Sequence, residues 1–97
     1  MTELTMKEYY PIEEIFWVDA ETFGDTGWMD LTEAKETANV PPPIMRSVGY
    51  VLVSNDDWVA ITDAIGENEC GHVTKIPVYM IKRRQTLVEA QPMGHMG

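Results

Sequence analysis

The sequence predicts a mostly-β small barrel of about five strands, with one short helix after the first strand. Three observations predict this fold. Aromatic and β-branched residues recur in short runs, and clusters of glycine, asparagine and aspartate separate them. Only one segment has the capping residues and composition of a helix. The 97 residues suffice for one domain, and a hydrophobic share of 44 % favours a small folded core over disorder.

The first strand and the helix are predicted in the N-terminal half of the chain. Residues 14–20 are rich in aromatic and β-branched side chains, which is typical of a strand. Asp30 and Glu33 have the spacing of a capping box before residues 31–38, which contain good helix formers. The three prolines at 41–43 prevent the helix from continuing and favour a stiff, extended connector.

From residue 44 the apolar pattern has a period of two, which predicts a long strand. Val48 and Tyr50 are expected on one face, and Val51 and Val53 on the other. Both faces are apolar, as expected for a strand with neighbours on each side. Gly49 indicates a bulge or bend within this strand.

The remaining strands follow turn-forming residues. Residues 54–57 are typical of a hairpin turn, and 58–62 of its return strand. A short strand at 72–76 is interrupted by Pro77, after which one helical turn leads into a last strand over 79–86. This order is similar to that of SH3-like and Sm-like barrels.

The predicted domain covers residues 14–88, with an N-terminal arm at 1–13 and a flexible tail at 89–97. No apolar run approaches the ~20 residues needed to cross a bilayer, and the start of the chain does not resemble a secretory signal. A lone cysteine, Cys70, fits a reducing compartment. We therefore expect a soluble, cytoplasmic protein without a membrane partner.

The net charge of −9 is unevenly distributed. Residues 1–45 contain ten acids and two bases, whereas residues 46–97 contain six acids and five bases. Nucleic-acid affinity depends on cations that displace counterions from phosphates. Non-specific nucleic-acid binding is therefore excluded, although a local basic patch at residues 82–84 remains open. The alternative for that patch is a charged edge strand that discourages aggregation.

The sequence contains no strong catalytic or metal-binding pattern. Glu13 and Glu14 are expected to be solvated, and Asp19 to cap a turn. Cys70 and His72 are two residues apart, but a structural zinc site needs four ligands and nucleophilic catalysis needs an orienting group. We therefore predict a protein that is not an enzyme, with no metal and no cofactor.

Aromatic residues near cations are the clearest indication of a ligand. Core packing accounts for most of the three tryptophans and four tyrosines. Trp28, between a glycine turn and the helix cap, is the best candidate for an exposed aromatic. A nucleotide would place its base on such a ring and its phosphate on a nearby cation. The predicted ligand-binding residues are Trp28, Arg46, Trp58, Lys75 and Arg84.

Four segments resemble a family of small, uncharacterised bacteriophage proteins. The segments are Trp17-x-Asp19, Gly27-Trp28, residues 46–52 (RSVGYVL) and Ile76-Pro77-x-x-Met80-Ile81. The resemblance extends over about residues 14–88, and the chain departs from it at Val78, where a lysine often follows the proline. It implies a phage protein that acts in the host cytoplasm, and it transfers no catalytic residue.

These observations favour a phage-encoded, non-enzymatic binding protein that counters host defence. Its most concrete form sequesters a nucleotide-derived immune signal or blocks a host defence protein. Two alternatives remain: an acidic mimic of nucleic acid that inhibits a host protein, and a virion or assembly component. Because so short a chain has a small core, homo-oligomerisation is also expected.

Overall fold

The computed structural model describes residues 9–24 and 27–90. Most of the predicted N-terminal arm and of the predicted tail lies outside the described residues. Within these described residues one helix and five strands are formed, with one turn of 3-10 helix at Val78–Met80 before the last strand. The elements are β1 (Ile12–Val18), α1 (Leu31–Ala38), β2 (Ile44–Ser54), β3 (Trp58–Thr62), β4 (Val73–Pro77) and β5 (Ile81–Val88).

The five strands form one antiparallel sheet in the order β4-β3-β2-β1-β5. The mostly-β class, the number of strands and the single helix after the first strand are confirmed. Barrel closure is not detected. Within the described residues β4 and β5 are the two edges of the sheet, and no ladder joins them.

The turns follow from local side-chain chemistry, as the sequence indicates. The carboxylate of Asp30 accepts a hydrogen bond from the Glu33 amide at 3.2 Å and caps the start of α1. Between β2 and β3, Asn55 Oδ1 accepts from the amides of Asp57 and Trp58, both at 2.9 Å. The helix over 31–38 and the hairpin turn at 54–57 are therefore confirmed.

The predicted alternation along β2 is wrong at Val53. The register shifts between Val51 and Val53, so that Val51 lies opposite Ile61 but Val53 lies opposite Ala60. The extra residue moves Val53 to the face that also carries Val48. Gly49 is not at this shift. It lies where β2 and β3 approach closely, since a Cβ there would be 2.8 Å from the Thr62 carbonyl oxygen.

The two faces of the sheet differ in burial. The inner face carries the core, which consists of Ile15, Val51, Val59, Ile61 and Ile76. Trp17, Val78 and Ile81 pack against this cluster. The outer face carries Phe16, Arg46, Val48, Val53, Trp58, Val73, Lys75 and Arg83. Most of these outer side chains are exposed, whereas Glu14, Ala60 and Thr62 on the same face are buried, so within the described residues this face is only partly covered.

Candidate ligand-binding surface

The outer face carries a row of three side chains from three adjacent strands. Arg46 of β2 lies opposite Phe16 of β1, and Phe16 lies opposite Arg83 of β5. The guanidinium carbons of Arg46 and Arg83 lie 5.9 and 5.8 Å from the centroid of the Phe16 ring. Both distances fall within the ~6 Å range of a cation–π contact. These three residues are hereafter the arginine–phenylalanine row.

The two arginines of the row differ in their charge partners. Arg46 donates from Nε to Glu14 Oε2 at 2.7 Å and also forms an ion pair with that carboxylate. Glu14 is only 9 % exposed, so Arg46 serves first to neutralise it. Arg83 donates to Gln85 Oε1 at 3.2 Å, and no carboxylate in the described part of the chain pairs with it. Arg83 is therefore the row's available cation.

This arrangement is chemically suited to binding an anion or an aromatic group. A guanidinium presents several N–H donors in a plane, which match the oxygens of a phosphate or carboxylate. The same planar group and the neighbouring ring can stack on an aromatic base. The row thus offers an anion contact beside a stacking surface, on three adjacent strands of the sheet.

A second arginine contact lies on the inner face of the sheet. Arg84 of β5 donates to both carboxylate oxygens of Glu13, from Nε at 2.8 Å and from Nη2 at 2.9 Å. It also donates to Ser54 Oγ at 3.3 Å. The hydrogen bonding of the Arg84 guanidinium to the Glu13 carboxylate raises the pKa of Arg84, although burial opposes the rise. Glu13 and Glu14 are 8 % and 9 % exposed, so the expectation that they are solvated is wrong.

The five sequence-predicted ligand residues are not gathered at one place. Trp28 is 90 % exposed in the loop before α1, as predicted for an exposed aromatic. Trp58 and Lys75 lie near each other on the outer face, since Lys75 is opposite Ala60. Arg46 lies in the arginine–phenylalanine row near the other end of β2. Arg84 lies on the inner face in its ion pair with Glu13.

Sequence reasoning missed Phe16 and Arg83 as members of one site. Phe16 and Trp17 are adjacent aromatic residues of β1, and Trp17 packs on the core. Composition alone does not indicate which of the two rings faces the core and which faces outward. The alternation of β1 separates them, but only the pairing with β2 and β5 reveals that both of its neighbours are arginines. That register depends on two shifts along β5. No local signal predicts these shifts.

Other features of the described residues offer weaker chemistry. No group of three histidine, cysteine or acidic side chains there is arranged to hold a metal ion. His72 Nδ1 lies 3.7 Å from Asp63 Oδ2, with the imidazole almost fully exposed. A shallow pocket of about 700 Å³ lies between the segment that precedes α1, the last turn of α1 and the residues that follow it. Its lining is Glu21, Phe23, Thr37, Ala38, Val40 and the three prolines at 41–43.

No protein-family model matches the chain, and neither a curated protein nor a solved structure matches it. Among the helices of the described residues, none has the length and apolar character needed to span a membrane.

Proposed function

We propose that the protein is a phage-encoded, non-enzymatic binding protein that sequesters a nucleotide-derived immune signal in the host cytoplasm. The observation that carries this proposal is the arginine–phenylalanine row. The phosphate of the signal binds Arg83, and its base stacks on the guanidinium of Arg46, which lies over the Phe16 ring. The resemblance to small phage proteins supports the biological setting.

Isothermal titration calorimetry tests this proposal. The protein is titrated with a panel of cyclic mononucleotides, cyclic dinucleotides and cyclic ADP-ribose isomers. We expect heat from at least one member, and Arg83→Gln should weaken that binding by about tenfold or more, since a hydrogen bond to a charged group contributes about 1.5–3 kcal/mol.

Lys35→Gln is the matched control, because it removes the same charge from an exposed position on α1. It should leave the affinity within about twofold. Absence of heat for every ligand, or equal loss in the two variants, would rule out binding through the row.

A finer fold assignment belongs to the same proposal: the sheet curls into an SH3-like or Sm-like barrel. The strand order and the 3-10 turn before β5 support it. In the pairing register Arg84 of β5 lies opposite Ile15 of β1, and Ile15 lies opposite Ser47 of β2. In a flat sheet Arg84 would therefore be closest to Ser47 on β2, yet it donates a hydrogen bond to Ser54. The end of β2 therefore bends over β1 toward β5. Nuclear Overhauser contacts between the edges β4 and β5 would support closure, and their absence would contradict it.

A second candidate function is inhibition of a host defence protein by mimicry of nucleic acid. It is favoured by the ten acids of residues 1–45 and by the exposure of Glu33 and Glu36 on α1. Such an inhibitor binds a basic surface with an affinity that falls steeply with salt. Titration of purified nucleases at low and high salt tests it. Affinity that is independent of salt would exclude this mode.

A further inference from the structure

The pocket beside α1 combines apolar walls with a single charged group. Its lining residues come from the connection between β1 and β2: the segment before α1, the last turn of α1 and the residues after it. Phe23, Val40 and the prolines at 41–43 supply the apolar surface, and Glu21 supplies the only ionisable side chain of the lining. This pocket, hereafter the proline pocket, contains no residue of the arginine–phenylalanine row. A ligand bound there leaves the row open.

Local structure fixes one side of the proline pocket. Asn39 ends α1, and its amide and its side-chain nitrogen both donate to the Lys35 carbonyl oxygen, at 3.1 and 2.9 Å. The Val40 amide then donates to the Thr37 carbonyl oxygen at 3.2 Å, which adds a turn after the helix. Because each proline ring restricts its own φ, the wall made by residues 41–43 is stiff. This wall is formed before a ligand binds, which limits the conformational entropy lost on binding.

The charges around the proline pocket favour a cation. Residues 19–38 contain six acids, and Lys35 is their only base. Lys35 is not a lining residue, and no ion pair in the described part of the chain involves Glu21. The last turn of α1 also ends at the pocket, and the C-terminal end of a helix carries partial negative charge. A cation in the pocket therefore meets both a carboxylate and the negative end of a helix dipole.

Phe23 narrows the class of cation. Its side chain is 57 % exposed, and the face of an aromatic ring attracts a positive charge. A metal ion such as Ca²⁺ needs several oxygen ligands, whereas the lining offers one carboxylate. An alkylated ammonium needs no set of oxygen ligands, and its alkyl groups are suited to contact with Val40 and the proline rings. The lining thus matches an organic cation better than a metal ion.

We infer that the proline pocket binds a small organic cation of the alkylated ammonium class. The charged nitrogen of this ligand lies between the Glu21 carboxylate and the Phe23 ring, and its alkyl groups contact Val40 and the prolines. The volume of about 700 Å³ lies in the range of small-molecule sites. This site is separate from the arginine–phenylalanine row and prefers the opposite charge.

Choline and its uncharged isostere, in which a carbon atom replaces the nitrogen, test the charge preference. Each compound is titrated into the isotope-labelled protein, and amide chemical shifts are followed by nuclear magnetic resonance. We expect choline to shift the amide signals of Phe23, Ala38 and Val40. The isostere should bind about fivefold more weakly, because it keeps the shape of choline but loses the attraction to the carboxylate and the ring.

Two variants and a matched control test the residues. Glu21→Gln should weaken choline binding about threefold or more, since it removes the charge and keeps the shape of the side chain. Phe23→Leu should weaken it by a similar factor, since it keeps an apolar side chain and removes the ring. Glu67→Gln is the control, because it removes the same charge from the exposed loop between β3 and β4. It should leave the affinity for choline unchanged.

Three results would overturn the inference: no shift of the pocket amides at tens of millimolar choline, equal affinity for choline and its isostere, or equal loss in Glu21→Gln and Glu67→Gln. The comparison of the two ligands uses the wild-type protein, so it is decisive even where a variant fails to fold. Arg83→Gln should bind choline as the wild type does, because the row and the pocket share no residue. A failure of nucleotide binding is therefore distinguishable from a failure of this site.

Discussion

The pair formed by Glu13 and Arg84 is the strongest polar contact of the inner face. Glu13 is almost fully buried and takes two hydrogen bonds from one guanidinium, so removal of either partner leaves a poorly solvated charge. We expect Arg84→Met to lower the free energy of unfolding by about 2 kcal/mol, measured by urea denaturation. Arg83→Met, on the exposed outer face, should lower the free energy of unfolding by less than about 0.5 kcal/mol. Equal losses in the two variants would contradict a special stabilising role for the Glu13–Arg84 pair.

The same pair sets a pH dependence with a definite sign. The hydrogen bonding of Arg84 to the Glu13 carboxylate raises the pKa of Arg84 in the folded state. A raised pKa stabilises the fold below the unfolded-state pKa of the group, and that stabilisation is lost as pH rises through the folded-state pKa. The guanidinium contribution is therefore complete at neutral pH and declines only in strongly alkaline solution. In urea titrations from neutral to moderately alkaline pH, the stability difference between wild type and Arg84→Met should stay constant.

Gly49 is required by close packing rather than by an unusual backbone angle. A Cβ at this position would lie 2.8 Å from the Thr62 carbonyl oxygen and 3.1 Å from Ile61 Cβ. We expect Gly49→Ala to cost about 2 kcal/mol in urea denaturation, because the obstacle is backbone that cannot move aside. Gly66→Ala is the control. Its nearest atom is Cγ of the Glu69 side chain, at 3.3 Å, so the cost should stay below about 0.5 kcal/mol.

At the scale of elements, α1 is held by its cap rather than by packing. Asp30→Ala removes the hydrogen bond to the Glu33 amide, which contributes about 1 kcal/mol to helix stability. In dilute solution, hydrogen exchange of the α1 amides should accelerate about fivefold while global stability is unchanged, since the helix buries no residue. Glu36→Ala should not accelerate exchange. A loss of global stability in Asp30→Ala would mean that α1 belongs to the core.

Elements defined by neighbouring residues were predictable, whereas contacts set by register were not. Asp30 caps the amide of Glu33, and Asn55 accepts hydrogen bonds within its own turn. Both contacts join residues that are close in sequence, so α1 and the β2–β3 hairpin could be predicted. The shift between Val51 and Val53 has no local signal, and it decides which face Val53 occupies. Strand β1 also begins at Ile12, earlier than expected, which brings Glu13 and Glu14 into the sheet.

The candidate site was predictable only in its chemistry. The sequence indicates aromatic rings beside cations, and Arg46 does lie beside a ring. That ring belongs to Phe16 of β1, a strand that ends 28 residues before Arg46 in the sequence. Arg83 and Arg84 are adjacent residues with the same side chain. Because side chains alternate along a strand, Arg84 points to the buried Glu13 and Arg83 points to the outer face. Composition cannot distinguish them without the pairing partners.

At the scale of the whole molecule, a small core and a charged, open surface make stability depend on association. Five buried hydrophobic side chains form the core cluster, whereas large apolar residues remain exposed on the outer face and in the connection between β1 and β2. If copies of the chain associate through these residues, folding is coupled to association and follows mass action. The thermal midpoint should then rise by several degrees between about 5 µM and about 500 µM protein.

Concentration dependence separates association from the stability of a single copy. The core cluster and the inner-face ion pair between Glu13 and Arg84 lie within one copy, so without association the midpoint measured by circular dichroism should not vary with concentration. A wild-type midpoint that is flat over the same range would mean that one copy folds without help from a second.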